Sequence, residues 1–242
     1  MKKTTLSSVL AVCITVATAQ INLNDISKQI NNAVSNNSAG TLSNDDVVNG
    51  LREALTIGSR NAASGASKAD GFYKNAAIKI PFPPKAKDME KTLRGMGMNK
   101  PVDDFIMSMN RAAEDAAKSA APIFVNAVKN MSITDGINIL KGKDDAATTY
   151  LKNTTSAELT GKFKPIIQGS IQKVEVTKYW KPLAKKYNQL PFVQKVNPNL
   201  EDYITQKALD GLFHLIAEEE LKIRKDPLAR ITDILKKVFG WK

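Results

Sequence analysis

His214 is the only histidine of this chain. On a helix, Asp210 one turn before it and Glu218 one turn after it would share its face. Such a trio could hold a divalent metal, or His214 could serve a serine nucleophile. A zinc or di-iron centre needs more ligands from a second element, and ferritin-like bundles place a Glu-x-x-His on each of two helices. No second histidine exists to supply one, and the Gly-x-Ser-x-Gly elbow of a hydrolase does not occur. The trio also lies opposite Leu212 and Ile216, so it reads as a solvated polar face. No catalytic residue, metal ligand or cofactor is assigned from it.

Two stretches imitate phosphate loops and fail. Gly136 to Lys143 has one residue too many between its glycines, and Asp144 stands where Ser or Thr would bind magnesium. Gly95-Met96-Gly97 lacks the third glycine and the preceding strand, and reads more simply as a helix stop.

One carboxylate stands out. Projecting the helical period from Leu212 and Ile216 lands on Glu219 before Ile223, which predicts an acid on the core side. A buried carboxylate must be paired or protonated, and either condition marks candidate sites. The expectation is an internal polar pocket with Glu219 in or beside it. A small apolar ligand would be lined by Phe213, Ile216, Phe163, Ile166 and Ile167 with lysines at the mouth, and an anionic one held by Arg111 or a lysine. The ordinary alternative is plain core around a structural ion pair, for which Arg111, Arg224 and Arg230 are candidate partners. Glu220, beside Glu219, is left without a direction.

Charge is uneven. Between Gly161 and Val196 lie eight lysines against one acid, Glu175, with Tyr179, Trp180 and Tyr187 interleaved. Lys178, Trp180, Lys181, Lys185 and Lys186 are the candidate contacts to an anionic surface, since lipid headgroups favour this mixture. The acids between Glu201 and Glu220 offer the intramolecular alternative.

The elements that must position these groups are helical. Ser43 to Asp46 offer an N-cap to a helix with Val47, Leu51, Leu55 and Gly58 on one stripe. Ile78 to Pro84 alternates and then meets prolines, which predicts an extended connector, and Pro84 starts a helix that ends at Gly95 or Gly97. Val102 to Lys129 reads as helix throughout, bent at Pro122, its alanines implying a close helix partner. Ser132 and Asp144 are expected caps, Pro165 and Pro182 expected punctuation. A long helix over Leu200 to Lys225 and a short one over Pro227 to Phe239, with Asp226 and Pro227 at Ncap and N1, complete the chain. The fold class expected is all-α, a single compact domain of about seven to nine helices over residues 44–240, with no sheet.

Several strings carry a resemblance: Met109-Asn110-Arg111-Ala112-Ala113-Glu114, Lys129-Asn130-Met131-Ser132, Leu140-Lys141-Gly142, Asp144-Asp145-Ala146-Ala147-Thr148, Tyr187-Asn188, and Leu209-Asp210-Gly211-Leu212-Phe213 with Ala217-Glu218-Glu219-Glu220. In this order they resemble the bacterial family catalogued as domain of unknown function 4197, over roughly Asn44 to Gly240. The resemblance implies an exported helical protein and brings no activity, ligand or catalytic residue with it.

Residues 1–19 read as a signal peptide: Lys2 and Lys3, an apolar stretch from Leu6 to Val16, and the small-residue site Ala17-Thr18-Ala19. Residues 20–43 read as a flexible leader. Cleavage near Ala19 removes two lysines and no acid, which lowers the formal charge from +11 to +9. It also removes Cys13, the only cysteine, so stability must come from a buried core rather than disulfides. Cys13 could instead anchor a lipoprotein, but Val12 stands where a small residue is wanted. The chain is therefore expected in the periplasm or secreted, with nucleic acid the poorer partner and an anionic lipid surface or an envelope protein the better one.

The reading adopted is a non-enzymatic binding protein of the cell envelope, for a small apolar or anionic ligand or a protein partner. The alternatives are an enzyme using Glu219 or Glu218 as general base and a structural scaffold in the periplasm.

Overall fold

Ser43 starts the first helix by a reciprocal cap: its hydroxyl accepts the Asp46 amide, while the Asp46 carboxylate takes the Ser43 amide. The computed structural model describes residues 42–134, 136–197 and 199–241. The expected signal peptide, Cys13 and the leader up to residue 41 lie outside the described residues. Among the described residues nine α-helices follow the cap: α1 (Asn44–Ala66), α2 (Lys87–Gly95), α3 (Asn99–Ala117), α4 (Ala120–Asn130), α5 (Gly136–Leu140), α6 (Ala146–Lys173), α7 (Val176–Asn188), α8 (Leu200–Lys225) and α9 (Asp233–Phe239). Among the described residues there is no strand, and the fold is a single all-α unit.

The long helix α8 is the centre. It packs against α1 on one side and α6 on another, and α9 crosses the outer side of α1. That crossing is close enough that a Cβ at Gly50 would meet the Val238 side chain at 2.6 Å, so only glycine fits there. Helix α3 buries Ala112, Ala113, Ala116 and Ala117 completely and packs against α6 and α7. Small side chains let helix axes approach, which is what its alanines predicted. Between α1 and α2 the chain passes through successive turns over most of residues 67–78 and then a short non-helical run over 79–83, burying Ile78, Ile80 and Phe82. Phe82, Phe105 and Trp180 then form one aromatic cluster, with ring centroids 5.0 to 6.0 Å apart.

Several expected boundaries move, each for a local reason. The stretch from Val102 to Lys129 breaks at Lys118 and Ser119. Pro122 instead sits in the first turn of α4, where its missing N–H has no intrahelical acceptor to lose. Pro165 and Pro182 lie inside α6 and α7 rather than between helices. Both are exposed, as are Gly161 and Lys178 one turn earlier, so the carbonyls they leave unpaired face water. The break between α6 and α7 comes instead at Glu175, in the left-handed region at φ 53°.

The C-terminal helix begins at Asp233, capped by Thr232. Asp226 caps only a 3₁₀ turn over Pro227–Ala229. The chain doubles back between the two because the Arg230 guanidinium donates to the carbonyls of Ile223 and Arg224, closing the end of α8. The next helix is described from Gly136, and the Ser132 carbonyl accepts the Tyr150 hydroxyl. Asp144 is not the cap of α6, whose N-cap position Asp145 holds, and it pairs with Lys225.

Candidate functional site

Two buried glutamates organise the interior. Glu220, 1% exposed, accepts the amides of Ala147 and Thr148 and the Thr148 hydroxyl at 2.7 to 3.0 Å, thereby capping the first turn of α6 from another helix. Arg224, one turn later on α8, neutralises it at 2.7 Å and donates to the carbonyls of Leu140 and Ile139. Glu114, 4% exposed, repeats the device: one oxygen accepts the amides of Phe72 and Tyr73, the other takes Arg111 at 2.6 Å. Arg111 also reaches Asp70, which hydrogen bonds from Lys74 and Arg111 hold below the usual aspartate value. Asn110, fully buried, accepts the Ile80 amide and donates to the carbonyls of Ile80 and Ile106. Its side chain thus pins the extended connector as a neighbouring strand would. Every one of these groups is spent on protein, so their role is structural.

Among the described residues, Glu219, Arg111 and the residues expected to line a pocket with them are not brought together. Glu219 lies at the rim of the contact between α1 and α8, accepting from Asn61 at 2.6 Å and pairing with Lys222. The buried acid is its neighbour Glu220, because one residue further turns the side chain from α1 toward α6. Arg111 is held by Glu114 and Asp70 and does not meet Glu219. Phe163, Ile167, Phe213 and Ile216 are all buried in the core, Phe213 edge-on to Phe124 at 5.3 Å, and Ile166 is partly buried. They are packed like any interior. His214 meets only Glu218, at 3.4 Å, and both are about half exposed. Among the described residues no group of three or more His, Cys, Asp or Glu is placed to hold a metal ion.

The basic stretch divides in a way composition does not show. Lys162 pairs with Glu158, Lys164 with Asp202, Lys173 with Asp115, and Lys178 with Glu175. Hydrogen bonds to those acids hold Lys164 and Lys178 above the usual lysine value. Lys181, Lys185, Lys186 and Lys195 make no salt bridge among the described residues, and all four are exposed. Trp180, expected at the surface, is 6% exposed and belongs to the aromatic cluster. Helix α7 buries Val176, Trp180, Leu183 and Tyr187, which turns Lys181, Lys185 and Lys186 outward.

Between α7 and the start of α8 runs an open groove of about 780 Å³. Ile171, Ala184, Val196 and Leu200, with the edge of Trp180, make its apolar floor; Lys181, Lys195, Asn188 and Asn199 stand around it, with Glu201 as its one acid. Its volume is that of a small-molecule site, and its lining is apolar with a few polar groups. Such a groove can hold an amphipathic anion. It brings no nucleophile and base together.

The groove's outer wall is a loop with a built base. The Asn188 side chain accepts the Val196 amide at 3.0 Å and donates to the Val196 carbonyl, closing residues 189–195 into a protrusion. Leu190, Val193 and Val196 pack back on the core. Phe192 alone is fully exposed, and its φ is 61°. A bulky residue in the left-handed region costs about 1 kcal/mol relative to glycine or asparagine. Sequence reasoning passed over Phe192, although Leu190-Pro191-Phe192-Val193 among lysines was its visible signal.

The family described as "Protein of unknown function (DUF4197)" matches residues 41–240. Among curated proteins and among solved structures, nothing matches.

Proposed function

This chain belongs to the DUF4197 family, and we propose that it is an exported, non-enzymatic binding protein of the cell envelope that holds a small amphipathic anion in the α7 groove. The carrying observation is the pairing of an apolar floor with Lys181 and Lys195, two cations that no carboxylate of the described residues neutralises. An apolar body would lie along Ala184, Val196 and Leu200, and its anionic group would meet the lysines. Export is supported by Lys2 and Lys3, the apolar run to Val16 and Ala17-Thr18-Ala19. Fractionation of expressing cells, with N-terminal sequencing that finds Gln20 first, tests that half of the reading.

The binding half is tested with laurate as probe, by calorimetry on the chain as purified. Lys181→Gln is expected to weaken laurate roughly tenfold by removing a charge-assisted contact. Ala184→Leu, which fills the floor, is expected to weaken it at least as much while melting as the wild type does. Laurate binding that neither variant changes overturns the groove as the site.

A further inference from the structure

Three surfaces besides the groove invite a function: the Glu219 rim, the loop carrying Leu228 and Ile231, and the loop carrying Phe192. At the rim, Glu219 is already satisfied by Asn61 and Lys222. Leu228 and Ile231 are exposed, but the cations around them are taken. Lys225 pairs with Asp144, Lys236 with Asp233 and Lys237 with Asp46. The Phe192 loop differs, since its apolar tip is fully exposed and Lys185, Lys186 and Lys195 make no salt bridge among the described residues.

We propose that the 189–196 loop docks this protein on an anionic lipid bilayer, Phe192 entering the interface and Lys185, Lys186 and Lys195 meeting the headgroups. Four observations converge on it. Phe192 makes no use of its ring inside the fold, being fully exposed. It is held in a backbone conformation that glycine or asparagine would adopt more easily, an arrangement that points to a function for the side chain. The loop that presents it is fastened at its base by Asn188 and backed by Leu190, Val193 and Val196, so the ring is held outward. Finally, the lysines of this stretch that make no salt bridge among the described residues are those on the outer face of α7 and on the loop itself.

A bilayer fits these features better than a protein does. A protein interface needs a broad complementary patch, about 800 Å² on each partner. One aromatic finger among dispersed ammonium groups matches a fluid, anionic surface that adapts to it. Among the described residues no helix is long and apolar enough to cross a membrane, so the contact is interfacial. It needs no occupant in the groove, and Phe192, Lys185 and Lys186 lie outside the groove lining, which the bilayer contact shares only at Lys195.

Sedimentation with vesicles tests it, using phosphatidylcholine alone and phosphatidylcholine with one quarter phosphatidylglycerol, at about 0.1 and about 0.5 M salt. Wild type is expected to bind the anionic vesicles in low salt and to leave them in high salt. Phe192→Asn is expected to weaken that binding roughly tenfold without lowering the melting temperature, because asparagine tolerates the same φ. Lys185→Gln with Lys186→Gln is expected to remove most of the preference for phosphatidylglycerol. All the variants share one N-terminus, so any contribution from residues 1–19 cancels. Binding that ignores salt, or that Phe192→Asn leaves intact, overturns the proposal. So does failure to bind anionic vesicles, and so does finding that the loop instead holds a protein or a nucleic-acid strand. Because Phe192→Asn leaves the groove untouched, laurate binding stays at the wild-type value whether docking survives or fails, which keeps the two readings separable.

Discussion

The two ends of α8 carry similar charge and use it in opposite ways. At the C-terminal end, Lys222, Arg224 and Lys225, with Lys236 and Lys237 on α9, each meet a carboxylate. At the N-terminal end, Lys181, Lys185, Lys186 and Lys195 meet none among the described residues, and they surround an apolar groove and an exposed phenylalanine. Composition counts both ends as charged helix surface. The difference teaches that paired charge here fastens helices to one another, while the charge left over on this stretch lies beside an apolar groove and an exposed ring.

The sharpest way to break this comparison is to attack the paired end. Glu220→Ala leaves Arg224 buried without its partner and two amides of α6 without an acceptor, and is expected to cost about 3 to 5 kcal/mol in urea unfolding. Glu114→Ala, the matching clamp on α3, belongs in the same range, because Phe72, Tyr73 and Arg111 lose the same kinds of bond. A cost below about 1 kcal/mol for either would mean that the buried pairs are not structural, and the contrast would fall.

Acid sharpens it next. Lysine and arginine partners, with Ser170 and Ser43, hold Asp70, Asp115 and Asp46 below the ordinary 3.8, in Asp115 despite a burial effect that acts upward. Their folded values are depressed, so the unfolded chain takes up protons first. The stability they contribute is present above that ordinary value and is lost as pH falls through the folded ones. Melting temperature should therefore drop steeply below about pH 4, and less steeply in Asp115→Asn.

At the unpaired end the same kind of substitution should do little to stability. Phe192→Asn is expected to gain about 1 kcal/mol by relieving the left-handed phenylalanine. Equal melting curves would show that the backbone accepts the ring without strain. The smallest effect is expected at Glu219→Gln, less than about 1 kcal/mol, because Glu219 and Lys222 form a partly exposed pair. A loss matching that of Glu220→Ala would move the buried site back to Glu219.

Much of the helical plan was legible because its signals are local. The reciprocal cap at Ser43 and Asp46, and the span of α8 from Leu200 to Lys225, depend on residues a few positions apart. The boundaries that moved were set from a distance or by water. Pro165 and Pro182 stay inside helices because solvent satisfies the carbonyls they free, and α9 starts late because Arg230 holds the chain against the end of α8. In the site, Lys181, Lys185 and Lys186 do face outward, whereas Trp180 turned inward to Phe82 and Phe105.

Two of the strings that carry the family likeness meet each other, and a third holds the segment between α1 and α2. Asn110, Arg111 and Glu114 pin the connector, and Ala147-Thr148 receives Glu220.

By itself, the sequence determined an all-α chain, the extent of its central helix and a surplus of lysine on one stretch, since periodicity, capping and composition act within a few residues. Only the tertiary structure decided which of two adjacent glutamates is buried and which four lysines of the basic stretch meet no carboxylate among the described residues. Both depend on partners far away in the chain, Glu220 on Thr148 72 residues before it and Lys164 on Asp202, and a helix turning about 100° per residue sends neighbouring side chains toward different helices.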